Sequence, residues 1–379
     1  MQQQRLSQEA AAGRHVQRED YVSCTVAFID CKKPGSHLKE NYSIIGPGVT
    51  SSSEQVINLP EPHGFNIGAA AMPHGITNNL HIHFTAEVFM NFRGNWKFQW
   101  GNDGKEGSYV SGPGDIMSVP TWIFRGFQNV GADDGWLFTC LGGDNTGGVI
   151  WHPDIINEAA DYGLYINSQN MLVDTSKGDP KPAPDDLITP LAKEDMAQLR
   201  RYTPEQMMQR IVTAEERDWK PAFLDQKLDG CGAQVAPVIG AGMTQNRDHQ
   251  AKITNPHGFS LEWLRLAPGQ RLSRFRLGEK MVLISHGGET RLSLNDDAST
   301  TVALKAWDTF SLPAGTWCEM QNMGDETVEM VVIIAGDHRK RPEFAPEVVQ
   351  AAQEGGLGID PNGYVVAAHL MPKYSFASA

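Results

Sequence analysis

The sequence predicts a mainly β protein that holds two copies of one domain, separated by a helical, Pro-rich segment. The first observation behind this is an internal repeat. Pro62-His63-Gly64-Phe65 recurs 194 residues later as Pro256-His257-Gly258-Phe259, and at the same offset Gly75 meets Gly269 and Gly94 meets Gly288. At an offset of 193, Asp115 meets Asp308, Pro120 meets Pro313 and Asn129 meets Asn322. Self-similarity of this kind marks a duplicated unit. The second observation is a run of short apolar segments bounded by turn residues, such as Val56-Ile-Asn-Leu59, Phe65-Asn-Ile-Gly68 and Trp96-Lys-Phe-Gln-Trp100. Their close spacing suits an all-β barrel or sandwich. The third is a change of period after Trp151, where Ile155, Ile156, Ala159, Ala160 and Leu164 recur at helical spacing.

Taken in order, residues 1–20 are polar and rich in Gln, Ala and Arg, which suits a short helix or a disordered arm. Residues 21–150 form the first β domain and 151–235 the linker, with the Pro-rich run Gly178 to Asp186. Within it Thr203-Pro204-Glu205-Gln206 reads as a helix start, Thr203 capping, Pro204 in the first turn and Gln206 reaching back to the cap. Met207, Met208, Ile211 and Val212 then make an apolar stripe, read as core packing. The second β domain covers 236–340, and 341–379 hold a helix beginning at Pro346 and a loose tail.

A length of 379 residues suffices for two domains with cores. The formal net charge of −13, from 45 acidic and 32 basic residues, argues against a nucleic-acid partner. Apolar runs are strand-sized, the longest around Val331 to Ala335, so no membrane span is expected. The N-terminus lacks the apolar core of a signal peptide, and a cytoplasmic location is the expectation. Five scattered cysteines suggest neither a disulfide framework nor a thiolate zinc site.

The chemistry concentrates between Gly75 and Gly94. His81, His83 and Glu87, placed on one extended strand of period two, project from one face. Two neutral imidazoles and one carboxylate suit a divalent metal such as iron, manganese, nickel, copper or zinc, with open positions for substrate or oxygen. The spacing Gly-x5-His-x-His-x3-Glu-x6-Gly resembles the first signature motif of the cupin superfamily at each fixed position. The second motif, Gly-x5-Pro-x-Gly-x2-His-x3-Asn, is met by Gly114, Pro120 and Asn129, with Trp122 in place of the inner glycine and Arg125 in place of the third histidine.

The resemblance implies two cupin barrels, that is, double-stranded β-helices or jelly rolls, joined by a helical linker. In the second copy His81 becomes Phe275, His83 becomes Leu277, Glu87 becomes Met281 and Arg125 becomes Cys318, so that barrel is expected to be structural. In architecture such a bicupin resembles the gentisate and salicylate ring-cleaving dioxygenases. That likeness implies iron(II) held by His81, His83 and Glu87 and a small anionic substrate, with hydroxylated aromatic acids among the candidates. Manganese, nickel or zinc with isomerase or lyase chemistry on a keto or sugar acid is the alternative, and a non-catalytic small-molecule-binding bicupin another. Arg125 either grips a substrate anion or points outward to a surface acid. Phe89, Trp122 and Phe127 are the candidate pocket wall. His74 is either a substrate-facing group or an exposed loop residue, while His63 and His257, at equivalent positions, are read as structural. Bicupins pair barrels in closed oligomers, so a homo-oligomer is expected, with a small-molecule substrate and neither nucleic acid nor membrane as partner.

Overall fold

The computed structural model describes residues 3–371; the last part of the expected tail lies outside them. The chain divides into two compact units, Tyr21–Glu216 and Arg217–Ala379 together with Met1–Asp20.

In the first unit, a seven-stranded sheet runs in the spatial order Ile211–Val212, Ile116–Val119, Glu87–Arg93, Gly135–Gly142, Phe65–Met72, Glu40–Ile45 and Ile57–Leu59. A five-stranded sheet has the order Val149–Trp151, Thr77–His83, Arg125–Asn129, Trp96–Trp100 and Gly107–Ser111. Their inward faces enclose Phe89, Phe98, Phe127, Trp96, Trp100 and Leu137. The second unit repeats this arrangement. Gln234–Ile239, Phe259–Leu266 and Met281–Gly287 answer Glu40–Ile45, Phe65–Met72 and Glu87–Arg93, and Thr309–Leu312, Cys318–Asn322 and Val328–Ala335 answer Ile116–Val119, Arg125–Asn129 and Gly135–Gly142.

The repeat is kept by polar residues that close turns. Asn129 donates through Nδ2 to Met72 O (2.9 Å) and Asp133 O (2.7 Å) and accepts from Gly131 N at 2.9 Å. Asn322 makes the same three bonds to Leu266 O, Glu326 O and Gly324 N at 2.9, 2.7 and 2.9 Å. A buried amide that satisfies three backbone groups cannot be replaced cheaply. His63 and His257 also behave alike. Each ring bonds a carbonyl two residues back, at 2.6 and 2.7 Å, and each backbone N–H donates to an aspartate, Asp144 or Asp337.

Of the two alternatives for the N-terminal arm the structure has the short helix, Gln8–Ala12, and the arm belongs to the second unit. His15–Val16 pairs with Thr309–Leu312, and Leu6 exchanges hydrogen bonds with the buried Asn295. The apolar stripe from Met207 is not one helix. The predicted capping box forms at Thr203 and Gln206, but the helix spans only Pro204–Met208. Ile211–Val212 leaves it to pair with Ile116 and Met117, because an open sheet edge there offers unpaired backbone groups. Met207 is buried and Met208 is exposed.

The other helices between the two β regions are short, Pro153–Ala159 and Lys193–Met196. Among the described residues no helix is long and apolar enough to cross a membrane.

Candidate metal centre

His81 and His83 stand at the end of the strand Thr77–His83, two residues apart and therefore on one face. The expectation from period alone, that Glu87 lies on the same strand, is corrected. The chain turns over residues 84–86, and Glu87 opens the strand Glu87–Arg93 of the other sheet. The carboxylate thus meets the imidazoles from the neighbouring sheet rather than along one strand. Ligand atoms of the three residues lie within 4.8 Å of one another, and all three residues are buried.

The hydrogen bonds fix how each group is presented. His81 Nδ1 lies 2.6 Å from Asn79 O, so it carries the proton and leaves Nε2 as a lone pair. His83 Nδ1 lies 3.4 Å from Gly148 O, and its Nε2 is buried with no hydrogen-bond partner among the described residues. That Nε2 stands 3.4 Å from Glu87 Oε2. Burial, reinforced by the charge of Arg125, lowers both histidines below their ordinary value and keeps them neutral at pH 7. For Glu87 burial acts upward, but His83, once protonated in acid, and Arg125 outweigh it and draw the carboxyl down to about 2, so it is ionised at neutral pH.

Arg125 is 1 % exposed and points inward. Its Nε donates to Glu87 Oε2 at 3.3 Å and its Nη1 to Ile123 O at 3.2 Å, while Nη2 has no partner among the described residues. The outward alternative is therefore excluded. Burial lowers its pKa to about 10, against the pull of Glu87, so it remains a cation at neutral pH.

A small cavity of about 40 Å³, counted as room for the centres of water-sized spheres, opens beside these groups. Of the residues expected around it, His81, His83, Glu87 and Phe127 form its wall, and the remaining four do not. Phe89 is packed in the core, 4.8 Å from Phe98 and 5.1 Å from Phe127 between ring centroids. Trp122 is 44 % exposed and meets Phe84 edge-on, since its backbone sits at φ 58° and turns the side chain out to the rim. His74 is exposed and bonds Gly131 O at 2.6 Å, as expected of a loop residue. Arg125 lies behind Glu87 rather than on the wall.

The sequence reading missed other residues of the cavity wall, Phe28, Lys39, Asn78 and Trp151. Lys39 is 3 % exposed, forms an ion pair with the buried Asp30 and donates to Asn78 Oδ1 at 2.7 Å. Its Nζ lies 5.1 and 5.5 Å from the ring centroids of Phe28 and Trp151. None of these carried a usable signal: Asn78, three residues before His81, falls by period on the other face of the strand, and an irregularity in the pairing between Asn78 and His81 brings it to the cavity.

In the second unit the equivalent positions Phe275, Leu277, Met281 and Cys318 are buried in one continuous apolar core. Side chains of that kind fill the space that the first unit leaves for its cavity.

No family model and no curated protein matches the sequence. Solved structures do match in shape. Oxalate decarboxylase OxdC of Bacillus subtilis, as a point mutant, superposes with a TM-score of 0.51 at 14% identity, over 89% of this chain and 83% of that one. Oxalate decarboxylase of Lactobacillus farciminis, in a formate complex, gives 0.51 at 14% over 88% and 92%. Vicilin of hazelnut, Corylus avellana, gives 0.52 at 9% over 87% of each chain. These likenesses establish the fold as that of a bicupin, with two jelly-roll barrels. The narrower likeness to the gentisate dioxygenases gains no support from them.

Proposed function

We propose that this chain, having the bicupin fold, is a divalent-metal-dependent enzyme that acts on a small anionic substrate in the cavity of its N-terminal barrel. The observation that carries the reading is the His83 Nε2 atom, buried and without a hydrogen-bond partner among the described residues, beside His81 and Glu87 at the cavity wall. A buried acceptor left unpaired costs about 1–3 kcal/mol, a cost that a bound cation would remove. The donor set fits such an ion. Both imidazoles are neutral and present lone pairs, the carboxylate is ionised, and the Asn79 carbonyl holds the His81 ring in its tautomer.

When bound, the ion would supply Lewis-acid polarisation of a substrate oxygen or, if iron, activation of O2. The chain's own residues do the remaining work. Arg125 holds the Glu87 carboxylate in place through Oε2 and offsets its charge. Phe127 and Trp151 line the cavity with apolar surface, which limits water and strengthens every charge interaction inside.

Elemental analysis of the protein, purified without added metal, tests the reading beside the His81→Ala/His83→Ala variant. About one equivalent of divalent metal in the parent and none in the variant is the expected result. No metal in the parent after reconstitution would overturn it. Iron, with turnover that needs O2, would select the dioxygenase branch. Manganese, nickel or zinc with anaerobic turnover would select isomerase or lyase chemistry.

A further inference from the structure

Two cations are buried beside the cavity, and they occupy different places. Arg125 is covered by Glu87 and is not part of the wall, whereas Lys39 is. Lysine is almost never fully buried without a reason, because removing its charge from water is costly. Pairing with Asp30 balances the charge, but a buried ion pair is commonly no more stabilising than apolar residues of the same volume. Packing alone therefore gives no reason for an ion pair at this wall.

We propose that Lys39 is the group that receives the negative charge of the substrate, a small monocarboxylate, while the His81, His83 and Glu87 end of the cavity works on the neighbouring atoms. This rests on the reading above for the chemistry at that end. An ammonium has three donors. Two go to Asp30 and Asn78, and the third is available to a ligand in the cavity. Asp30 does not itself face the cavity. Its other oxygen, Oδ2, accepts from Asn79 Nδ2 at 2.7 Å, and that amide also donates to Ser36 Oγ at 2.7 Å. The carboxylate is thus tied through Asn79 to the strand Thr77–His83, and a ligand meets the ammonium rather than its counter-ion.

The rings of Phe28 and Trp151 flank Nζ and restrict its position, as a cation held over aromatic faces is restricted. Trp151 also meets His81, with ring centroids 5.4 Å apart, so Lys39 and the histidine end share one neighbour and one small molecule can reach both. The other acid on this side is Glu40, which lines the cavity and accepts from the Tyr42 hydroxyl at 2.6 Å. Its charge disfavours a second negative charge there, which selects a monocarboxylate over a phosphate dianion.

The test is calorimetric titration of the manganese-reconstituted full chain with pyruvate and with its uncharged amide, pyruvamide. The parent is expected to prefer pyruvate. In Lys39→Met/Asp30→Leu, which removes the pair together and strands no charge, the preference is expected to fall by about tenfold, as loss of one charge-assisted bond implies. Metal content is expected to stay unchanged. If the double variant does not unfold cooperatively, Lys39→Gln, which keeps a donor for Asp30 without the charge, decides in its place. A preference that survives in the variant, or none in the parent, overturns the assignment. Failure of the metal reading is seen separately in the elemental analysis, and the same titration on the metal-free chain then still decides the role of Lys39.

Discussion

Arg125 Nε donates to Glu87 Oε2 at 3.3 Å, so the residue that stands in the place of the motif's third histidine pairs with the carboxylate of the candidate ligand set. Its cation opposes a divalent ion bound close by. Arg125→His removes that repulsion and adds a neutral donor on a strand already in register with His81. The expected outcome is a rise in divalent-metal affinity of about tenfold or more, measured by competition with a chelator. An unchanged affinity would mean that position 125 does not face the ion.

Trp122 provides a prediction about stability. It has φ 58° where its counterpart in the repeat, Gly315, has φ 78°. Both backbone N–H groups donate across the barrel, Trp122 to His83 O at 3.3 Å and Gly315 to Leu277 O at 2.7 Å. The turn needs the left-handed conformation, which costs a residue with a Cβ about 1–2 kcal/mol. Trp122→Gly is expected to raise unfolding free energy by about 1 kcal/mol, less whatever the exposed contact with Phe84 supplies. Chemical denaturation of the first unit's transition measures it.

Glu262 gives a pH dependence. Buried in the second unit, with both oxygens 3.4 Å from Met243 N, it has its carboxyl raised by burial to about 8. Between its unfolded value near 4.5 and its folded value the native state holds a proton that the unfolded state has released. Stability contributed by this group is therefore present at low pH and is lost as pH rises through 8. The expected slope is about 1.4 kcal/mol per pH unit in that window. Glu262→Gln, which keeps the shape without the titration, is expected to flatten denaturation midpoints measured from about pH 5 to 8.

Asn295 ties the arm down. Its Oδ1 accepts from Leu6 N and its Nδ2 donates to Leu6 O, both at 2.9 Å, and Thr300 Oγ1 adds a bond to the same carbonyl at 2.8 Å. Asn295→Ala is expected to cost about 2–3 kcal/mol, as two lost bonds and an unpaired buried N–H imply. Amide exchange from Leu6 to Val16 is expected to quicken in this variant while exchange in the first unit stays unchanged.

The duplication and the β class were legible because Gly, Pro, Asp and Asn at turns recur by position, and turn chemistry is local. His81 and His83 were legible for the same reason, two residues of one strand. Glu87 showed in the motif's spacing, but its place on a second sheet did not, because period alone does not reveal a turn at 84–86. Lys39 left no sign at all. A lysine beside turn residues reads as solvated surface, and only the fold brings Asp30, Asn78 and Trp151 around it. Arg125 was visible as an anomaly in the motif, yet its direction was set by Glu87 from another strand.

The paired edges have a consequence in time. Arg14 O accepts from Ser311 N just as Arg210 O accepts from Ser118 N, and the backbone N–H groups of Arg18 and Ala214 each reach the scaffold carboxylate, Asp308 or Asp115. Residues 14–18 and 210–214 thus play the same part, the former for the second unit's barrel and the latter for the first's. During synthesis the segment Tyr21–Glu216 has every strand it needs once Val212 has emerged. The strand His15–Val16, made before either barrel, must wait with its edge unpaired until Thr309–Leu312 appears. The second barrel therefore closes through the longest strand-to-strand separation among the described residues, and its completion is expected to be the slow, final step of folding.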